Sequence, residues 1–210
     1  FFPMVPLAWS MRADGHDVRV AHPPALSSQV VESGLTSVPV GGNPVITDEM
    51  RSRLPGRGDT PPSGDESHNI AQNLGFFRGV AGLMLEDLAA VLTDWRPDVV
   101  VYDWQCYAAA TLGRALDIPT ARFLFGPDFA GGVSGWRDAE CRFLGDILSD
   151  AGLPPSALDG DIGIDVCPPL LQFDAARPSV PARYVPYNGA GSVRRAGEAT
   201  GRPRVLVTLG

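Results

Sequence analysis

Apolar residues near the start of the chain follow first a helical spacing and then a strand spacing. Four of them occupy positions i, i+3, i+4 and i+7 and predict one apolar helix face: Met4, Leu7, Ala8 and Met11. Gly15 is the residue type that commonly ends a helix, and residues 18–21 then predict a short buried strand. A second helix over residues 25–32 and a second strand over residues 36–40 follow. This alternation of strands and helices is typical of a parallel sheet.

The remainder of the chain repeats the alternation with longer elements. An amphipathic helix is predicted from Gly75 to the Trp-Arg-Pro stop at residues 95–97. Residues 98–103 form a continuous apolar run between two aspartates, which predicts a strand covered on both faces. A helix rich in Ala and Gly is predicted over residues 105–116, where small side chains permit close packing on the sheet. The last predicted elements are a strand at 118–125, a helix at 136–152 and strands at 162–166 and 182–185.

These elements predict an α/β fold, with a Rossmann-like parallel sheet and helices on both faces, over residues 1–189. An irregular stretch rich in Gly and Pro interrupts it at residues 41–69, and loops longer than about 15 residues are usually functional or disordered. Residues 190–203 predict a polar linker, and residues 204–210 predict the first strand of a second domain. Because the first helix lacks the strand that would normally precede it, we expect a fold that is truncated at both ends.

Composition narrows the classes of function. The chain has 17 arginines, no lysine and a net charge of −7, so it lacks the basic face that a nucleic-acid partner requires. Without lysine it can form neither a Schiff base nor a P-loop. Its three cysteines form no CxxC pair, which disfavours a zinc site and favours a reduced, cytoplasmic protein. No apolar run approaches the roughly 20 residues that span a bilayer.

Carboxylates follow two of the predicted strands where each strand ends. Ligands of open parallel sheets bind outside the carboxyl ends of the strands, and Asp103 and Asp128 fall at two such ends. Asp103 can orient a histidine and stabilise its imidazolium form, as in a catalytic triad, or it can cap the helix that follows. The same two alternatives are open for Asp128.

Aromatic residues gather at the same predicted edge: Phe1, Phe2, Trp104, Phe123, Phe125 and Phe129. They predict an apolar pocket for a hydrophobic small molecule, with about half of them in the core. His16, His22 and His68 have no HxxxH or HExxH spacing, which gives metal chemistry little support. The absence of GxGxxG counts against a Rossmann-like oxidoreductase. From these residues alone we predict a ligand-binding α/β domain, without a defined reaction.

Six segments together carry a family resemblance: residues 1–21, 34–41, 96–103, 126–128, 183–189 and 204–210. In this order and spacing they resemble glycosyltransferases of the GT-B fold. The resemblance is greatest to the antibiotic-tailoring branch, which attaches deoxysugars to macrolides and related polyketides. It extends over nearly the whole chain and implies that the chain is the N-terminal, acceptor-binding half of a GT-B fold.

The resemblance also implies a mechanism. The catalytic histidine of the family would lie directly before Phe1, and its partner carboxylate falls on Asp103. The histidine would act as general base toward an acceptor hydroxyl in an inverting transfer, while Asp103 would hold the imidazole. The nucleotide-sugar domain would follow Gly210, which makes this residue a donor-binding candidate.

The resemblance further implies which groups bind. Acceptor-binding roles fall on Phe1, Phe2, Trp104, Phe125 and Asp128, together with the loop at residues 43–72. The co-substrate would be a dTDP- or UDP-sugar and the acceptor a hydrophobic aglycone, with no cofactor and no metal. Some enzymes of this branch also use an auxiliary activator protein.

Two function classes remain open at this stage. As a glycosyltransferase piece of 210 residues, the chain would be inactive alone, because it would lack both the general base and the donor domain. The alternative hypothesis is a non-catalytic, ligand- or partner-binding remnant of such an enzyme.

Overall fold

The computed structural model describes residues 1–44, 66–174 and 178–191. The α-helices are α1 (Val5–Ala13), α2 (Ser27–Glu32), α3 (Glu66–Trp95), α4 (Tyr107–Ala115), α5 (Phe129–Gly132) and α6 (Trp136–Asp150). The strands are β1 (Arg19–His22), β2 (Thr36–Pro39), β3 (Val100–Asp103), β4 (Thr120–Leu124), β5 (Ile162–Asp165) and β6 (Ser179–Pro181). Short 3₁₀ turns lie at Phe2–Met4, Pro24–Leu26, Pro155–Asp159 and Pro169–Leu171.

The strands of the described residues form two parallel sheets. β1 pairs with β2, and the larger sheet has the strand order β3-β4-β5-β6 with every neighbouring pair parallel. Parallel neighbours need crossover connections, which is why helices alternate with the strands. The predicted α/β class is confirmed. The single sheet expected from the sequence is instead divided into two hydrogen-bonded ladders, because no strand within the described ranges pairs with both β1 and β3.

The strand that is covered on both faces is β4. All five residues of β4 are buried, so side chains on both faces of this strand are covered, and β3 and β5 pair with it on either side. β3 is an edge strand of the larger sheet within the described residues, and only Tyr102 in it is fully buried. The two-sided burial predicted for residues 98–103 is therefore wrong for β3 and belongs to the next strand.

Two predicted elements have different bounds in the structure. Helix α3 begins at Glu66 rather than at Gly75, because the buried side chains of Ile70 and Leu74 continue its apolar face into the stretch predicted to be irregular. The strand predicted at 182–185 is wrong. The observed β6 precedes it, and Val180 pairs there with Ile164 of β5.

A small second core joins the two ends of the described chain. Val5, Val30 and Leu35 are buried in it, and Tyr187 from the irregular segment after β6 packs against α1. The ring of Tyr187 lies 5.0 Å from that of Trp9 and 6.0 Å from that of Phe2. The C-terminal part of residues 1–189 thus returns to the N-terminal helix.

Three parts of the predicted organisation lie outside the described residues: most of the irregular stretch, at 45–65, most of the linker, at 192–203, and the strand at 204–210.

Candidate functional site

The carboxyl ends of β3, β4 and β5 lie side by side at one edge of the larger sheet. Asp103 pairs with Phe123, and Leu124 pairs with Asp165. The segments that leave these strand ends therefore converge, as expected for ligand sites in open parallel sheets. They carry the predicted residues Trp104, Phe125 and Asp128.

Asp103 forms a local turn rather than a helix cap. Its Oδ1 accepts a hydrogen bond from the backbone N–H of Gln105 at 3.0 Å. Helix α4 begins at Tyr107 with Cys106 as its N-cap residue. The capping alternative for Asp103 is therefore not the arrangement observed, and the carboxylate stays at the strand end.

Burial raises the pKa of Asp103. The N–H of Gln105 opposes this effect and lowers the pKa. A carboxylate that has lost water gains most from a cationic or hydrogen-bond-donating partner.

The neighbouring groups of Asp103 are not reactive. Burial raises the pKa of the Cys106 thiol to about 11, so this cysteine stays protonated at neutral pH, and only a thiolate would be nucleophilic. The side chain of Gln105 donates through Nε2 to Oδ1 of Asn73 on α3, at 2.5 Å. This bond ties the turn after β3 to the long helix.

Four aromatic side chains form a continuous row beside the carboxyl ends. Trp136 and Trp104 have ring centroids 5.6 Å apart, Phe129 lies 6.2 Å from Trp104, and Phe173 lies 5.8 Å from Phe129. The two tryptophans are buried, whereas Phe129 is 41% and Phe173 is 38% exposed. We call these four residues the aromatic row.

Trp104 and Phe129 are among the aromatic residues that the sequence predicts at this site, whereas Trp136 and Phe173 are not. Trp136 lies at the start of α6, and its indole Nε1–H donates to Oε1 of Glu140 at 3.1 Å. Phe173 follows a Pro-rich turn after β5. No local pattern identifies Phe173, because its neighbours in the row come from distant parts of the chain.

The other predicted acceptor residues lie in different surroundings. Phe125, at the end of β4, is 45% exposed. Phe1 and Phe2 contact each other, with ring centroids 5.3 Å apart, and pack toward Tyr187. Gly210 lies outside the described residues, as do residues 45–65 of the predicted acceptor loop.

Asp128 is buried and bonded within the protein. Its Oδ2 accepts from Nη2 of Arg122 at 3.0 Å, and its Oδ1 accepts from the N–H of Gly131 at 3.2 Å, which makes Asp128 the N-cap of α5. The capping alternative is therefore the arrangement observed for Asp128. Direct contact of its carboxylate with an acceptor stays a prediction.

His22 is held by contacts inside the protein. His22 is buried: Nδ1 lies 2.8 Å from the carbonyl oxygen of Pro23 and Nε2 lies 2.7 Å from Oγ of Ser37. Within residues 1–44, 66–174 and 178–191, no group of His, Cys, Asp and Glu has the arrangement of a metal site. No helix in the same ranges is long and apolar enough to span a membrane.

Comparisons with known proteins place this geometry in a family. The family model of the erythromycin biosynthesis protein CIII-like, N-terminal domain matches residues 9–210. A 10-deoxymethynolide desosaminyltransferase of Streptomyces venezuelae is 33% identical over an alignment that covers all of this chain and 57% of the relative.

Solved structures agree with the family match. Glycosyltransferase VinC, crystallised with dTDP, superposes with a TM-score of 0.69 at 28% identity, over 92% of this chain and 52% of that protein. Spinosyn rhamnosyltransferase SpnG, solved with the spinosyn aglycone, has a TM-score of 0.68 at 27% identity, over 91% of this chain and 48% of that protein. The chain thus spans about half the length of the relatives it matches.

Proposed function

Because the chain belongs to the family of the erythromycin biosynthesis protein CIII-like N-terminal domain, we propose that it is the acceptor-binding half of a deoxysugar glycosyltransferase. The proposed reaction moves a sugar from a dTDP- or UDP-sugar to a hydroxyl of a hydrophobic polyketide aglycone. The relatives and structural neighbours are named as transferases of this kind, and VinC was solved with dTDP.

One observation in this chain carries the proposal. The carboxylate of Asp103 lies partly buried at the end of β3, and its burial raises its pKa. The family resemblance implies a catalytic histidine directly before Phe1, with Asp103 as its partner carboxylate. Asp103 is therefore suited to accept a hydrogen bond from the imidazole and to stabilise its protonated form.

The proposed mechanism is a single displacement with inversion. The histidine takes the proton of the acceptor hydroxyl, and the hydroxyl oxygen forms a bond to the anomeric carbon of the sugar. The bond between that carbon and the nucleoside diphosphate breaks at the same time, and the diphosphate leaves with the electron pair. Asp103 orients the imidazole and stabilises the charge that it gains.

Acceptor binding falls to the apolar surface at the same edge. Trp104 lies next to Asp103 in sequence and contacts Phe129, while Phe125 is half-exposed at the end of β4. Phe1, Phe2 and Asp128 complete the proposed acceptor set, and Gly210 belongs to the proposed donor side. An auxiliary activator protein is a further proposed partner of the complete enzyme.

The experiment is a transfer assay on the protein encoded by the complete gene, with dTDP- and UDP-sugars and a panel of polyketide aglycones. The variant Asp103→Asn is expected to lower kcat by about 100- to 10,000-fold, because it removes the negative charge that stabilises the imidazolium. The matched control is Asp98→Asn, which replaces an exposed carboxylate before the start of β3. This variant should transfer sugar like the wild type. The anomeric configuration of the product, measured by NMR, tests inversion.

Two outcomes would contradict this proposal. Unchanged transfer by Asp103→Asn would leave the glycosyltransferase but remove Asp103 from its catalysis. Absence of transfer with every donor, with and without an auxiliary protein, would favour the non-catalytic binding remnant.

A further inference from the structure

The position of Phe173 depends on a missing side chain at Gly132. A Cβ built on Gly132 would lie 2.5 Å from Cβ of Phe173 and still closer to two of its ring atoms, Cγ and Cδ2. Real Cβ atoms do not approach other carbons this closely. Because Cβ of Phe173 is itself among the clashing atoms, rotation of the ring alone would not relieve the clash. Gly132 is therefore needed for Phe173 to lie where it does.

Hydrogen bonds of Gln172 fix the backbone beside this ring. Oε1 of Gln172 accepts from the N–H of Phe173 at 3.0 Å and from the N–H of Asp128 at 2.7 Å. Nε2 donates to Oδ2 of Asp165, at the end of β5, at 2.9 Å. One side chain thus ties the segment that carries Phe173 to the ends of β4 and β5. A half-exposed aromatic residue held by so many bonds is preorganised rather than a mobile surface residue.

The exposed part of the aromatic row continues the site proposed above. Phe173 contacts Phe129, and Phe129 contacts Trp104, which follows Asp103 directly in the chain. The rings of Phe129 and Phe173 meet at 66°, so the two half-exposed residues form a corner. Such a corner offers one ring for stacking and a second ring for edge contact.

We propose that Phe173, held against Gly132, is a specificity-determining wall of the acceptor site that packs against the apolar ring system of the aglycone, away from the reacting hydroxyl. This inference rests on the proposed function, since it assigns the acceptor to the edge that carries Asp103. The aglycone is the occupant that fits, because the corner is uncharged, rigid and continuous with the row that leads to Asp103.

The test measures equilibrium binding to the protein encoded by the complete gene, by calorimetry, with 10-deoxymethynolide and the spinosyn aglycone as probes. Phe173→Ala removes the wall, and Gly132→Ala displaces it while the phenyl ring is retained. Both variants should weaken aglycone binding by about five- to twentyfold. KM for the nucleotide sugar, and KM for cyclohexanol where the enzyme accepts this small alcohol, should stay unchanged.

Two control variants match these changes. Gly145→Ala adds a methyl group in α6 where nothing lies within 4 Å. Leu116→Ala shortens a side chain that is 39% exposed, close to the 38% of Phe173, at the amino-end edge of the sheet. Both controls should bind the aglycones like the wild type, and thermal unfolding checks that all four variants are folded.

The outcomes separate this inference from the proposed function. Unchanged aglycone binding by Phe173→Ala, or no aglycone binding by the wild type, would overturn the inference. A rise in KM for the nucleotide sugar alone would also overturn it, since Phe173 would then face the donor side. If the two variants weaken aglycone binding but the wild type transfers no sugar, Phe173 would still be a wall of the acceptor site. That result would contradict only the proposed reaction.

Discussion

Arg122 and Asp128 form a buried ion pair near the carboxyl end of β4. Nη2 of Arg122 lies 3.0 Å from Oδ2 of Asp128, and the two side chains are 2% and 5% exposed. Arg122 lies within β4, and Asp128 begins α5. The pair therefore joins the most buried strand to the segment that carries the first half-exposed ring of the aromatic row. Removal of one partner from such a pair leaves a buried charge without compensation.

We expect Asp128→Asn to lower the free energy of unfolding by about 3–5 kcal/mol, measured by urea denaturation. Asparagine is also a good N-cap residue, so the loss would reflect the missing charge rather than the missing cap. The double variant Arg122→Met/Asp128→Asn should recover a large part of the loss, because it removes the buried guanidinium as well. A loss below about 1 kcal/mol in the single variant would show that the pair contributes little.

Close packing between α4 and β4 predicts a strong effect at a second glycine. A Cβ on Gly113 would collide with Cγ2 of Thr120, which is buried. Gly113→Ala should therefore lower the free energy of unfolding by about 1–3 kcal/mol. The matched control is Gly79→Ala on the exposed side of α3, where nothing lies within 4 Å. That control should be stabilising by up to about 1 kcal/mol, since alanine favours helix more than glycine does.

Asp161 predicts a stability loss in acid. Its Oδ2 accepts from both the N–H and the hydroxyl of Thr120, each at 2.8 Å. The N–H bond is the largest cause that lowers the pKa of Asp161, with help from the hydroxyl and from Arg114. The stabilisation by this carboxylate is present above the pKa of the unfolded chain, near 4, and is lost as pH falls through the lowered pKa of the folded state.

Asp161→Asn should therefore lower the melting temperature at pH 7, and the difference from the wild type should shrink as pH falls below about 4. Thermal unfolding between pH 2.5 and about 7 measures this. Asp98→Asn, which replaces an exposed carboxylate before β3, is the control. A difference that stays constant with pH would mean that the charge of Asp161 does not contribute.

Periodicity along the sequence was sufficient for the elements that surround Asp103. The helical spacing before Gly15, the apolar run before Asp103 and the small residues of α4 all predict elements that the structure contains. The rule that ligands bind at carboxyl strand ends then selects one edge. These are local signals, and they require no knowledge of which strands are neighbours.

The remaining features depend on contacts between distant segments. Phe173 joins the aromatic row because β5, which precedes it in the chain, pairs with β4. The close packing of Phe173 on Gly132 is likewise a contact between residues far apart in sequence. Val180 pairs in β6 although Pro178 precedes the strand and Pro181 is its last residue, and prolines argue against a strand in any local analysis. Tertiary pairing outweighs local preference at such positions.

The effect of pH through Asp103 should have the opposite sign to that through Asp161. Burial raises the pKa of Asp103 despite the N–H of Gln105, which lowers it. A raised pKa means that the folded state prefers the protonated carboxyl group. The associated stabilisation is present below the pKa of the unfolded chain and is lost as pH rises through the raised pKa. At neutral pH the ionised Asp103 thus costs stability.

Asp103→Asn should consequently be at least as stable as the wild type at pH 7, because an amide oxygen can still accept from the N–H of Gln105 without a buried charge. The difference in melting temperature should fall toward zero as pH decreases through about 4. Combined with a large loss of transfer, this result would identify a carboxylate that is retained for catalysis at the expense of stability. A variant clearly less stable than the wild type at pH 7, by more than about 1 kcal/mol, would instead assign Asp103 a structural role in the turn before α4.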